Sequence, residues 1–241
     1  VYTSATKTMV HELFAYPQEG LMQGDPTFDI VNIPMSSFQN TEMFRVHRNV
    51  LICNVDSQND NKIYRTIDKW SAPQVVYEIA AKDRRALDSL LPLAAPLAVK
   101  DMRDAEHRRI IKAFRGIKGV EAMKTIRQHF GFELTLSDEF EVAVLEEDFA
   151  WIRQETKDFS LDVLVRRLPY THKSQLEMPG VCNAVDSLFH NHVPGAAPES
   201  TTGLELKNWH VVEHRVVLAG QPAVELRGAW RTFGDFMGGP M

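Results

Sequence analysis

Hydrophobic residues in this 241-residue chain change period in the same order twice: helical spacing, two alternating stretches, helical spacing, with a last alternating pair at the end. That order predicts an α+β fold, with mixed, mainly antiparallel sheets and helices packed on them, built as two related α/β units. No low-complexity linker divides the sequence, so a single compact domain over 1–241 with one continuous core is expected, its pseudo-repeated halves being 1–118 and 119–241.

In the first half, residues 5–14 read as a short helix that stops before Pro17, and 28–33 as a strand closed by Pro34. The run 46–55 is apolar on both alternating faces from Val50 onward, which predicts a central strand covered on both sides. Residues 74–80 predict a second strand. Segments 83–91 and 101–114 carry helical spacing, with Pro92 and Pro96 breaking the run between them.

In the second half, Val120, Met123, Ile126 and Phe130 fall at helical intervals, and Gly131 stands where a left-handed C-terminal residue is wanted. Alternation returns at 140–144, and 148–153 continues in strand-like composition. Segment 159–167 reads as the cleanest half-buried strand, with Phe159, Leu161, Val163 and Val165 facing inward. Residues 174–190 predict a helix kinked in its first half by Pro179 and Gly180, 193–203 have loop composition, and 209–218 with 223–230 predict a hairpin closed around Gly220-Gln221-Pro222.

Charge narrows the partners. With 27 Lys+Arg against 32 Asp+Glu, a net charge of -5 provides no footprint for a phosphate backbone, so no nucleic acid is expected. The longest apolar stretch, 90–99, is interrupted by two prolines and falls well short of the ~20 residues a membrane span needs. No basic and apolar leader opens the sequence, so any export signal is expected to have been removed or never to have existed. Cys53 and Cys182 have neither CxxC nor metal spacing; Cys53 reads as a small buried hydrophobe, and pairing of the two is left open.

Reaction machinery is not legible. No Gly-x-Ser-x-Gly elbow, phosphate loop or dinucleotide fingerprint occurs, so no catalytic residue and no cofactor is assigned. His190 and His192 read as polar residues at a helix C-terminus. His210 and His214 lie on a predicted strand where four residues span roughly 13 Å, and closure at Gly220-Gln221 would set His214 opposite Arg227, so no metal site is assigned. Tryptophans 70, 151, 209 and 230 could line a groove, since indole joins a broad apolar face to one donor. The candidate binding residues are Trp151, Trp209, Arg227, Trp230 and Asp235. Glycines 228, 234, 238 and 239 among them read as a packed strand followed by a tight turn.

Four segments carry a family likeness: Pro26-Thr27-Phe28 running into His47-Arg48-Asn49-Val50; Phe130-Gly131-Phe132 with Asp148-Phe149-Ala150-Trp151-Ile152-Arg153; Leu168-Pro169-Tyr170-Thr171 with Val193-Pro194-Gly195; and Arg227-Gly228-Ala229-Trp230 with Gly234-Asp235-Phe236-Met237-Gly238-Gly239-Pro240, the most specific. On these residues the chain resembles a family of lipoproteins from Gram-negative gut commensals known only as a domain of unknown function. The resemblance implies export, a lipidated cysteine near the precursor's start, a place at the cell envelope and further segments beyond both ends of this sequence. It brings no activity, no cofactor and no catalytic residue. The resulting expectation is a non-catalytic binding or assembly domain at the envelope, its partner an envelope protein or glycan and its only membrane contact a lipid anchor. The alternatives are a metal-assisted hydrolase using His190, His192, His210 or His214, and a glycan or small-molecule module built on Trp151, Trp209 or Trp230.

Overall fold

The computed structural model describes residues 4–21, 23–117, 121–195 and 197–241. The fold is α+β, and the chain forms two compact units: Val1–Tyr16 with Pro26–Glu141, and Pro17–Asp25 with Val142–Met241. Among the described residues no helix is long and apolar enough to cross a membrane.

The first unit opens with helix α1 (Ser4–Phe14), which buries Thr6, Val10 and Phe14 at i, i+4 spacing, followed by the short helices α2 (Met35–Asn40) and α3 (Glu42–Arg45). Strands β1 (Asn49–Val55), β2 (Lys62–Ile67) and β3 (Val75–Ala81) form a sheet in the order β1-β3-β2, with β1 parallel and β2 antiparallel to β3. The segment 28–33 forms no strand; Phe28 and Ile30 pack on the core through their side chains alone. Nor is the run around Val50 the central strand. β1 is an edge on which only Ile52 is buried, whereas β3 lies in the middle and buries six of its seven residues. Apolar sequence on both faces marks β1 as partly covered; the pairing order decides which strand is central.

The prolines produce the largest departure. Helix α4 runs unbroken from Arg84 to Arg115 through Pro92 and Pro96, started by Asp83, whose side chain accepts from the Ala86 N–H. Both prolines lie on its exposed side, where the carbonyls they leave unpaired, those of Asp88 and Pro92, can reach water. The opposite side buries Leu87, Leu91, Ala94, Ala98 and Met102 on β3, and that burial holds the helix together where local propensity would end it.

One polar network enters this core. The Tyr77 hydroxyl donates to Asp101 on α4 at 2.6 Å, and the Arg65 side chain from β2 pairs with the same carboxylate. The bond from Arg65 holds the Asp101 carboxyl below its usual range, and burial, then the bond to Asp101, pushes Tyr77 up to about 12. Burial likewise pushes the Cys53 thiol up to about 11, and both cysteines are free thiols. The unit's last helix is α5 (Glu121–Phe130), closed by Gly131 at φ +79°; Val120 lies outside the described residues.

The second unit begins with the sheet β4 (Glu141–Leu145), β5 (Phe149–Glu155) and β6 (Ser160–Arg166), in that order. The face of β6 expected inward is open at its start: Phe159 and Leu161 are exposed, and only Val163 and Val165 are half-buried, because β6 is a sheet edge paired only to β5. Helix α6 (Met178–His192) is not kinked by Pro179. It starts there, the proline occupying the first turn, where its absent N–H would have no partner anyway.

Inside the expected loop 193–203 the structure has strand β7 (Thr201–Leu204). Strands β8 (Val212–Leu218) and β9 (Gln221–Arg227) make the expected hairpin, but the two turn residues are Ala219 and Gly220, both at positive φ. That shift moves the register by two, so His214 faces Glu225 and Val212 faces Arg227. Strands β10 (Ala229–Phe233) and β11 (Gly238–Pro240) complete the sheet β11-β10-β7.

Candidate functional site

An open cavity of about 540 Å³ lies in the first unit between α1 and α4. One wall is Glu12 and Leu13 of α1 with Tyr16 just past its end. The α4 wall is Pro96, Lys100, Arg103 and His107, spaced so that they share one helical stripe, with Asp104 beside them. Buried Ala95 and Val99 form the floor. Leu13 and Val99 give this floor aliphatic area, and Ala95, the smallest of the three, leaves room above it.

The rim carries both signs of charge. Lys100 Nζ is 2.6 Å from Asp104 Oδ2, and this pairing raises the Lys100 pKa. Glu12 on one wall, and Arg103 and His107 on the other, have no pairing with other described residues. An apolar floor with a few directed polar groups is the usual make-up of a small-ligand site. The sequence alone hides this stripe because Pro96 predicts a break; 96, 100, 103 and 107 fall in line only on a helix that continues through it.

The five candidate binding residues, Trp151, Trp209, Arg227, Trp230 and Asp235, all lie in the second unit, and each has a partner there. Trp209 Nε1 donates to the Gly20 carbonyl at 3.2 Å, and Gly20 packs so closely on Arg227 that a methyl would overlap its Cβ. Trp209 and Arg227 thus meet the same short segment, 17–25, to which His214 Nε2 also reaches, 3.4 Å from Glu19. Arg227 Nη2 donates to both oxygens of Glu225 at 3.1 and 3.2 Å. Trp151 Nε1 donates to Asp162 at 2.7 Å. Trp230 stacks near Phe189 at 6.4 Å between centroids and faces Gly239 across β10 and β11. Asp235 accepts from the Phe236 N–H at 2.6 Å within the turn. His192 stacks on Phe149 at 3.8 Å with Nδ1 3.6 Å from Glu146. Among the described residues no three His, Cys, Asp or Glu side chains gather where they could hold a metal ion.

Glu205, which sequence reasoning passed over, anchors the end of β7. Its carboxylate accepts from the backbone of Lys207 and Asn208, each at 2.9 Å, from Asn208 Nδ2 at 3.2 Å and from Arg231 Nη1 at 2.9 Å. The Asn208 backbone first, then Arg231, draws its pKa down to about 2 from an ordinary 4.5. A carboxyl whose folded value is depressed stabilises the fold above its unfolded value and loses that contribution as pH falls through the folded one. Glu205→Gln should therefore lower the thermal midpoint at pH 7, and the deficit should shrink between about pH 4.5 and pH 2. A deficit independent of pH would mean the carboxylate charge is not what anchors the turn.

Comparison with known proteins gives two family matches. Residues 119–241, just over half the chain, match the family described as Domain of unknown function (DUF4837). The chain belongs to this family. Residues 1–115 match a second, Domain of unknown function (DUF8532). No curated protein and no solved structure matches the chain. The α1/α4 cavity lies wholly within the DUF8532 match, whereas Trp151, Trp209, Arg227, Trp230 and Asp235 lie within the DUF4837 match.

Proposed function

We propose that the chain is a non-catalytic binding domain acting at the cell envelope, where an N-terminal lipid on the precursor tethers it. The α1/α4 cavity carries the binding half of this reading: an aliphatic floor, charges of both signs on the rim, and Glu12, Arg103 and His107 unpaired among the described residues. Among the described residues no serine, threonine or cysteine lines it, and of its two carboxylates Asp104 is already paired with Lys100. The envelope half rests on the family likeness of the Arg227 to Pro240 segment.

Methyl-labelled NMR tests the binding half. A library of fatty acids, sugars, amines, amino acids and short peptides is titrated into the full chain while the Leu13 and Val99 methyls are followed. At least one class should shift both methyls in a saturable way. If no class moves either methyl, the reading fails.

A further inference from the structure

We infer that the α1/α4 cavity takes a short peptide with free termini, its ammonium at Glu12, its carboxylate at Arg103 and His107, and an aliphatic side chain on the floor. This deepens the binding reading above and rests on it. The argument begins with what the cavity has already neutralised. Lys100 and Asp104 satisfy one another across one turn of α4, which leaves a lone carboxylate on α1 facing a guanidinium and an imidazole on α4.

A ligand with one charge suits only one wall. A fatty acid that pairs with Arg103 brings its carboxylate into a cavity that also holds Glu12, and a simple amine at Glu12 meets the Arg103 charge. A zwitterion satisfies both walls at once. The guanidinium fork matches a terminal carboxylate with two parallel N–H···O bonds.

The same cavity is lined by Leu13, Ala95 and Val99, which offer apolar area for a side chain such as leucine. The volume of about 540 Å³ exceeds what one free amino acid fills and falls inside the roughly 300–1,000 Å³ of small-ligand pockets, which suits two or three residues.

Isothermal titration calorimetry on the full chain, with leucyl-leucine, N-acetyl-leucyl-leucine and leucyl-leucinamide as probes, tests this. The free dipeptide should bind, and each capped form should bind roughly tenfold more weakly or worse, the loss expected when one charge-assisted contact is removed. Glu12→Gln should erase the penalty for acetylation and leave that for amidation; Arg103→Gln should do the reverse. Glu12 is exposed and both groups are unpaired among the described residues, so neither change removes a hydrogen bond or ion pair among them, and circular dichroism checks that each variant folds. If a variant does not fold, the capping series on the unaltered chain decides alone. Equal binding of capped and free dipeptides overturns the inference. So does a dipeptide that fails to bind while another library class shifts the Leu13 and Val99 methyls, and in that case the binding reading stands. If nothing shifts those methyls, both fall together.

Discussion

Pro92→Ala should raise the free energy of unfolding by about 2 kcal/mol, because a helix-interior proline costs about 3 kcal/mol relative to alanine and the more flexible unfolded chain returns about 0.4–1. Pro92 sits on the exposed side of α4, away from the face packed on β3, so alanine disturbs no core contact. It supplies the N–H that the Asp88 carbonyl lacks. Urea denaturation followed by helical circular dichroism should show a higher midpoint with an unchanged slope. An unchanged midpoint would mean that α4 is bent at this turn in a way alanine cannot repair. Pro96→Ala is the poorer probe, since Pro96 also lines the cavity.

A second substitution to alanine should move stability the other way. Gly180 lies in the first turn of α6, where helix propensity alone favours alanine by about 1 kcal/mol. A methyl at that position would overlap the Ser174 carbonyl oxygen and come within 2.9 Å of Gln175 Cα. These are backbone atoms of the 3-10 turn Lys173–Leu176, which His172 and Gln175 fix by reciprocal capping bonds, so they cannot swing aside. Gly180→Ala should therefore destabilise the chain by about 3 kcal/mol, the upper end of overpacking penalties. The sign is the test. A rise in the urea midpoint would show that the turn yields and that helix propensity governs the position.

These two positions mark where sequence reasoning reached and where it stopped. Hydrophobic period identified α1, β3, α5 and the β8–β9 hairpin, since each depends on local chemistry: i, i+4 apolar spacing, alternation, a glycine able to take positive φ. It failed at α4 because two local penalties on the exposed face are outweighed by a buried face whose partner, β3, is set by tertiary packing. The hairpin register slipped by two because Ala219, not a residue expected at positive φ, is the first turn residue. Strand β7 was unreadable for a related cause: its partner β10 lies about 25 residues on, and Thr201-Thr202-Gly203 has turn composition.

The cavity was invisible for the same reason as α4. Its walls come from residues 12–16 and 95–107, and the second wall becomes a stripe only once the helix is continuous. The aromatics that drew attention in the sequence were visible because tryptophan is conspicuous; the indoles of Trp151 and Trp209 donate to partners within their own unit, and Trp230 stacks on Phe189.

The chain leaves the first unit at Tyr16, contributes Pro17–Asp25 to the second, returns at Pro26 and departs again after Glu141. The second unit therefore contains nine residues made long before the remainder of it. A gene fragment starting at 119, where the family match begins, would encode Trp209, His214 and Arg227 without Glu19 and Gly20, their counterparts across more than 180 positions of sequence.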